Sequence, residues 1–137
     1  MNSKGKILLV EDESFISELY QKILTEAGYQ VITVIDGEQA LKMASSDLNL
    51  ILLDIMIPKL NGIEVLKKLK SQESTKKIPV VLITNLGSEN IINYAFRIGA
   101  QGYLMKMRLT PFEILNKVDE FLNNPNYRME PNTTSYE

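Results

Sequence analysis

Apolar runs alternate with segments of helical period five times along the chain. Lys6–Val10 (KILLV) reads as a buried strand. Residues 14–27 read as a helix with Phe15, Leu19 and Ile23 on one side and Ile16, Tyr20 and Leu24 beside them. Gly28 follows, where a left-handed residue would end that helix. Gln30–Val34 is the second predicted strand. Asp36-Gly37-Glu38-Gln39 has the form of a capping box and opens a short helix to residue 45. Leu50–Leu53 is the third strand and residues 62–70 the third helix. Residues 79–83 make the fourth strand, with proline in its first position, where it is tolerated. Residues 88–98 form the fourth helix, closed by Gly99, and Gly102–Met105 a short fifth strand. Thr110-Pro111-Phe112-Glu113 joins a capping box to a proline at the first helical position. It predicts a helix carrying Leu115, Val118 and Leu122 inward. From Asn123 onward the periodicity stops, so residues 123–137 are expected to form a disordered tail.

Strands this uniformly apolar are buried on both faces, which calls for a parallel sheet with helices on each side. The expected class is α/β: a doubly wound, five-stranded parallel sheet of order 2-1-3-4-5. In such folds ligands bind beyond the carboxyl ends of the strands, where strand order reverses, here between the first and third strands. The first strand runs into Glu11 and Asp12, and the third into Asp54. The fourth ends at Thr84 and the fifth runs into Lys106. Three carboxylates in one cleft repel one another unless a cation joins them. An oxygen-only ligand set suits a hard divalent ion, Mg2+ above all. A lysine and a hydroxyl beside that ion suit a phosphoryl group, and one aspartate could then act as nucleophile and form an acyl phosphate. Taken singly, each residue has an ordinary reading as a helix start, a cap, a turn or a surface charge. Their joint placement on one sheet edge favours the chemistry.

Composition narrows the picture. The 137 residues, 45% hydrophobic, suffice for one domain with a proper core. A formal net charge of −2 offers no basic face for nucleic acid, so no direct nucleic-acid binding by this domain is expected. The chain has no cysteine, which excludes disulfides, thiol catalysis and thiolate metal sites. It has no histidine, so a phosphoryl group carried on histidine would have to come from another protein. No apolar run reaches the roughly 18 residues of a membrane helix, and the first residues lack the apolar stretch of a signal peptide. A cytoplasmic location without membrane contact is expected. Neither a G-x-x-x-x-G-K-[ST] loop nor a G-x-G-x-x-G fingerprint occurs.

Four segments carry a family resemblance: Ile7-Leu8-Leu9-Val10-Glu11-Asp12-Glu13, Leu52-Leu53-Asp54-Ile55-Met56-Ile57-Pro58 with Gly62, Val81-Leu82-Ile83-Thr84, and Gly99-Ala100-Gln101-Gly102-Tyr103-Leu104-Met105-Lys106. In that order and spacing they resemble the receiver domain of two-component response regulators, over residues 4–122. The resemblance implies a flavodoxin-like fold and a phosphorylated signalling switch, not an enzyme acting on separate substrates. It implies Asp54 as the phosphoacceptor, and Thr84 and Lys106 as binders of phosphoryl oxygens. Asp12 would be a direct Mg2+ ligand, Glu11 an acid acting largely through water, and Met56 a ligand through its backbone carbonyl. Tyr103 fits the family's switch aromatic, which turns inward as Thr84 moves toward the phosphoryl group. The implied partners are a sensor histidine kinase or phosphotransfer protein on one side and an unknown output protein on the other.

The sequence departs from the family pattern in places. Met107 stands where proline usually follows the lysine, which would make a cis peptide there costly. Asn85 replaces a very small residue after Thr84. Gln101-Gly102 replaces the acidic pair of many DNA-binding regulators that dimerise through this face. A stand-alone switch is expected. The alternatives are the N-terminal receiver of a longer, DNA-binding regulator, a degenerate receiver that only binds partners, and a phosphatase using Asp54. The last would need a second acid two residues on, and that position is Met56.

Overall fold

The computed structural model describes residues 3–124 and 126–131. Strands β1 (Lys6–Val10), β2 (Gln30–Val34), β3 (Leu50–Leu53), β4 (Val80–Thr84) and β5 (Gly102–Met105) form one parallel sheet in the order β2-β1-β3-β4-β5. Helices α1 (Ser14–Glu26), α2 (Gly37–Met43), α3 (Gly62–Ser71), α4 (Glu89–Arg97) and α5 (Pro111–Asn123) are the connections, with a 3-10 turn at Lys106–Arg108. α1 packs against α5, and α2 against α3. The central strands β1, β3 and β4 are buried almost throughout, as their unbroken apolar sequences require.

Register sets the site. Val10 pairs with Leu53, and Thr84 with Met105. The next residues, Glu11 and Asp54, therefore leave the sheet side by side. The Asp54 N–H still donates to the Val10 carbonyl at 3.2 Å.

Several local expectations are corrected. Of the two apolar sides read on α1, the one with Tyr20 and Leu24 is the buried one, and Phe15 on the other is exposed. In α5 the buried residues are Ile114, Val118 and Phe121, with Leu115 and Leu122 at the margin. The Asp36 side chain does cap α2, accepting from the Gln39 N–H at 2.8 Å. The Gln39 side chain, however, accepts from Ile35 rather than from the cap residue, so the box is open on one side. A full capping box that the sequence reading missed opens α3, between Asn61 and Glu64. The predicted box at Thr110 and Glu113 is present.

The tail is corrected in part. α5 includes Asn123, and residues 126–131 pack back on the domain, with Met129 buried. Residues 132–137 of that segment lie outside the described residues.

Lys70 has no carboxylate partner among the ion pairs of the described residues. Its Nζ donates to the carbonyls of Lys76 (3.1 Å) and Ile78 (2.8 Å), holding the turn into β4. Burial, with Arg128 nearby, lowers its pKa to about 8. Between about pH 8 and the ordinary lysine range near 10.5 the unfolded chain keeps a proton that the folded chain has released. Stability should therefore rise with pH across that window, by several degrees of Tm relative to Lys70→Met. Parallel Tm profiles for the two proteins would refute the assignment.

Candidate functional site

The ends of β1, β3, β4 and β5 bring the predicted residues together. Asp54 and Glu11 are buried, and Asp12 is exposed at the rim. One carboxylate oxygen from each of Glu11, Asp12 and Asp54 can lie within 4.8 Å of the others. The Lys106 Nζ reaches across from the end of β5. It donates to Asp54 Oδ2 at 2.7 Å and also to Glu11 Oε1. Backbone amides hold the other carboxylate oxygens: Met56 N–H donates to Asp54 Oδ1 at 3.1 Å, and Glu13 N–H to Glu11 Oε2 at 3.1 Å. These two donors had no signal in the sequence, because every residue but proline carries one.

Burial pushes the Glu11 carboxyl above the ordinary carboxylate range, although Lys106 and the Glu13 amide pull it down. For Lys106 burial works downward. Its hydrogen bonds to Asp54 and Glu11 outweigh burial and hold its pKa above the usual lysine value. The lysine is thus firmly cationic, and it supplies one positive charge against three carboxylates. That imbalance, with oxygen-only donors, fits a hard divalent cation.

The loop after β3 is shaped by Gly62. A Cβ there would lie 2.4 Å from the Asp54 carbonyl oxygen, so a side chain would drive α3 away from the site. The Gly62 N–H instead donates to the Ile55 carbonyl at 2.8 Å. Met56 stands at the mouth, 63% exposed. It lines an apolar groove of about 610 Å³ with Ile55, Ile57, Leu86, Ile91 and Tyr94.

Thr84 is fully buried at the end of β4, and its Oγ1 accepts from the Leu86 N–H at 3.3 Å. Tyr103 is fully buried on β5, and its hydroxyl donates to the Leu86 carbonyl. Burial raises its pKa above the ordinary phenol value. One residue, Leu86, therefore connects Thr84 to Tyr103. The described peptide bonds are all trans, that between Lys106 and Met107 included, and Met107 is exposed. Tyr20 was read only as helix core. It is buried on α1, and burial raises its pKa, with smaller effects from the charges of Lys106, Glu11 and Asp54. A hydroxyl-bearing aromatic on the inner side of α1, eight positions after Asp12, was the available signal.

The part of the chain that carries these acids, the lysine and the threonine falls within the match to a family model. Residues 7–119 match the response regulator receiver domain. The chain belongs to this family. It is 36% identical over 133 residues to the transcriptional regulatory protein CpxR of Klebsiella pneumoniae, covering 95% of this chain and 54% of that protein. The chain spans about half the length of the curated relatives it matches. Among solved structures, the phosphorylated cyanobacterial phytochrome response regulator RcpA superposes with a TM-score of 0.77 at 30% identity, covering 92% of this chain and 99% of that one. The receiver domain of the sensor histidine kinase PA1611 from Pseudomonas aeruginosa PAO1 does so at 0.77 and 25%, covering 88% and 98%. That structure holds a magnesium ion coordinated in its active site cleft. The protein is thus a response-regulator receiver domain of two-component signalling, and its sheet has the order expected of that fold. Among the described residues no helix is long and apolar enough to cross a membrane.

Proposed function

We propose that this receiver accepts a phosphoryl group on Asp54 from a histidine kinase or phosphotransfer protein in the cytoplasm and passes the signal by a change in protein binding. The observation that carries this reading is the placement of Asp54. It is buried, ends the central strand β3 beside two further acids, and is held by Lys106 at 2.7 Å.

An Asp54 carboxylate oxygen would attack phosphorus. A P–O bond forms to Asp54, the P–N bond of the donor phosphohistidine breaks, and the imidazole leaves. Lys106 is already positioned to move from carboxylate to phosphoryl oxygen. The Met56 amide keeps the attacking carboxylate oriented. Thr84 would donate its hydroxyl to a phosphoryl oxygen. Since the Leu86 N–H is bonded to that hydroxyl and the Leu86 carbonyl to Tyr103, movement of Thr84 would reach Tyr103 through one residue. Asp12, Asp54 and the Met56 carbonyl would hold Mg2+, with Glu11 contributing through water. The ion would neutralise charge on the phosphoryl oxygens. The magnesium in the cleft of the PA1611 receiver and the phosphorylated state of RcpA support this reading. Turnover of separate substrates is not part of it, because Met56 offers no acid for a leaving group.

Incubation with acetyl phosphate and Mg2+ should add one phosphoryl group, read by intact mass. Asp54→Ala should abolish it. Equal labelling of the variant would end the assignment. For output, we favour a domain that signals by itself, since Gln101-Gly102 lacks the acidic pair of regulators that dimerise through this face. The length of the curated relatives, about twice that of this chain, favours a second reading in which the receiver governs an attached DNA-binding output. Phosphorylation-dependent dimerisation would favour the second, and a phosphorylated monomer that captures a partner protein the first.

A further inference from the structure

The chain has six methionines and no cysteine, so methionine is the sulfur it offers to oxidants. The described methionines divide by burial. Met105 and Met129 are 8% and 1% exposed, whereas Met43, Met56 and Met107 are 44%, 63% and 80% exposed. Of the exposed three, Met56 is bonded to Asp54: its amide donates to Asp54 Oδ1 at 3.1 Å. Its side chain lines the apolar groove beside the cleft, with Ile55, Ile57, Leu86, Ile91 and Tyr94. Asn61 is a polar member of that groove, but its side chain is committed to capping α3, where it accepts from the Glu64 N–H at 3.0 Å. The mouth of the cleft thus carries an exposed thioether where a polar side chain would bind water. Met107 follows Lys106 in the chain and is more exposed still, yet it is not among the residues that line the groove.

A thioether open to solvent reacts with hydrogen peroxide. The sulfur lone pair attacks one peroxide oxygen, an S–O bond forms and the O–O bond breaks. The departing hydroxide takes the proton from the new S–OH group and leaves as water, so sulfur is oxidised and peroxide reduced. The product is a polar side chain whose oxygen is a hydrogen-bond acceptor, whereas the thioether is a weak one. Burying that oxygen against Ile57 and Ile91 would leave it without a donor, a cost that turns it toward water at the mouth of the cleft. We propose that Met56 is an oxidation site through which peroxides shorten the life of the phosphoryl group on Asp54. The sulfoxide oxygen accepts from a water beside the acyl phosphate and holds it there for attack. This rests on the reading of Asp54 as phosphoacceptor and adds a second input to it: a phosphodonor loads the switch, and an oxidant clears it.

The test treats the full chain with hydrogen peroxide, removes the peroxide with catalase, and then phosphorylates with acetyl phosphate and Mg2+. Peptide masses should show an added oxygen at Met43, Met56 and Met107, while Met105 and Met129 stay unmodified because the fold is intact. After donor removal, phosphoryl decay read by intact mass should be about two- to tenfold faster in oxidised than in untreated protein, the worth of one hydrogen bond. Treatment with both methionine sulfoxide reductases, one for each epimer, should restore the slower decay. Met43→Leu combined with Met107→Leu should keep the full response to peroxide. Met56→Leu, compared with its own untreated sample, should lose it. Unchanged or slower decay in protein whose Met56 carries the oxygen overturns the proposal. So does a Met56→Leu response equal to that of wild type, or a Met56 that resists oxidation while Met107 is converted. Failure of the Asp54 reading looks different: untreated protein takes up no phosphoryl group, or Asp54→Ala takes it up equally, and the proposal falls with that reading.

Discussion

Lys106→Met should lower stability by about 3–5 kcal/mol in metal-free buffer at neutral pH, the usual cost of stripping one partner from a buried ion pair. Lys106 is the cation bonded to both Glu11 and Asp54, and all three side chains are shielded from water. Without it, two buried carboxylates and Asp12 face one another with no cation paired to them among the described residues, and only the neutral Met56 and Glu13 amides bond to them. Two conditions should restore much of the loss. Millimolar Mg2+ binds the folded state alone, so stabilisation grows with the logarithm of its concentration. It should raise the variant's urea midpoint more than that of wild type, and Asp12→Ala, which removes one ligand, should blunt the rise. Acidification should also help. Burial already holds the folded Glu11 pKa above its unfolded value near 4.5, and loss of Lys106 raises it further. A carboxyl raised in this way favours the folded state fully below the unfolded value and loses that contribution as pH rises through the folded one. The deficit of Lys106→Met should therefore shrink between pH 7 and pH 5. Urea midpoints equal to wild type at neutral pH, or a deficit indifferent to Mg2+, would remove the metal site from this account.

The second expected result is a long-lived phosphoryl group. Hydrolysis of an aspartyl phosphate needs a water in line with phosphorus, opposite the Asp54 oxygen. Water is expected to approach past the residues two positions after Asp54 and two after Thr84, which are Met56 and Leu86. Both line one apolar groove, in which Asn61 and Asn90 are the polar members. Neither side chain can hold or polarise a water. Wild type should therefore dephosphorylate itself slowly, and Met56→Asn with Leu86→Glu should speed decay by about 10- to 100-fold, the scale of a newly positioned water or general base. The measurement is phosphoryl decay by mass after donor removal. Equal half-lives would show that these side chains leave the water path alone.

The fold was legible because its strands are short, apolar and separated by turn chemistry that acts locally. Five strands and five helices could be placed to within a residue or two, and only a parallel sheet with two covered faces suits strands such as Leu50–Leu53. Boundaries were exact where a cap is spelled in adjacent residues, as at Thr110 and Glu113, and partial where it is not, as at Gln39, whose side chain bonds outside its own box. Which side of α5 faces inward was read one position out. Leu115 and Leu122 are as apolar as Ile114 and Phe121, and only the seat on the sheet distinguishes them.

The sequence by itself determined which acids, hydroxyl and lysine meet at one edge of the sheet. Acids, a hydroxyl and a lysine at the ends of predicted parallel strands must converge once strand order is known, because every strand of a parallel sheet points its carboxyl end the same way. What tertiary structure decided depends on non-local contact. The amides of Met56 and Glu13 hold the acids, yet backbone donors are alike in every sequence. Tyr103 is bonded to Leu86, 17 positions away in the chain, a pairing that no spacing encodes. Residues 126–131 have the composition of a tail, and they pack on the domain because Gly102, Phe96 and Phe121 leave a seat that fits them.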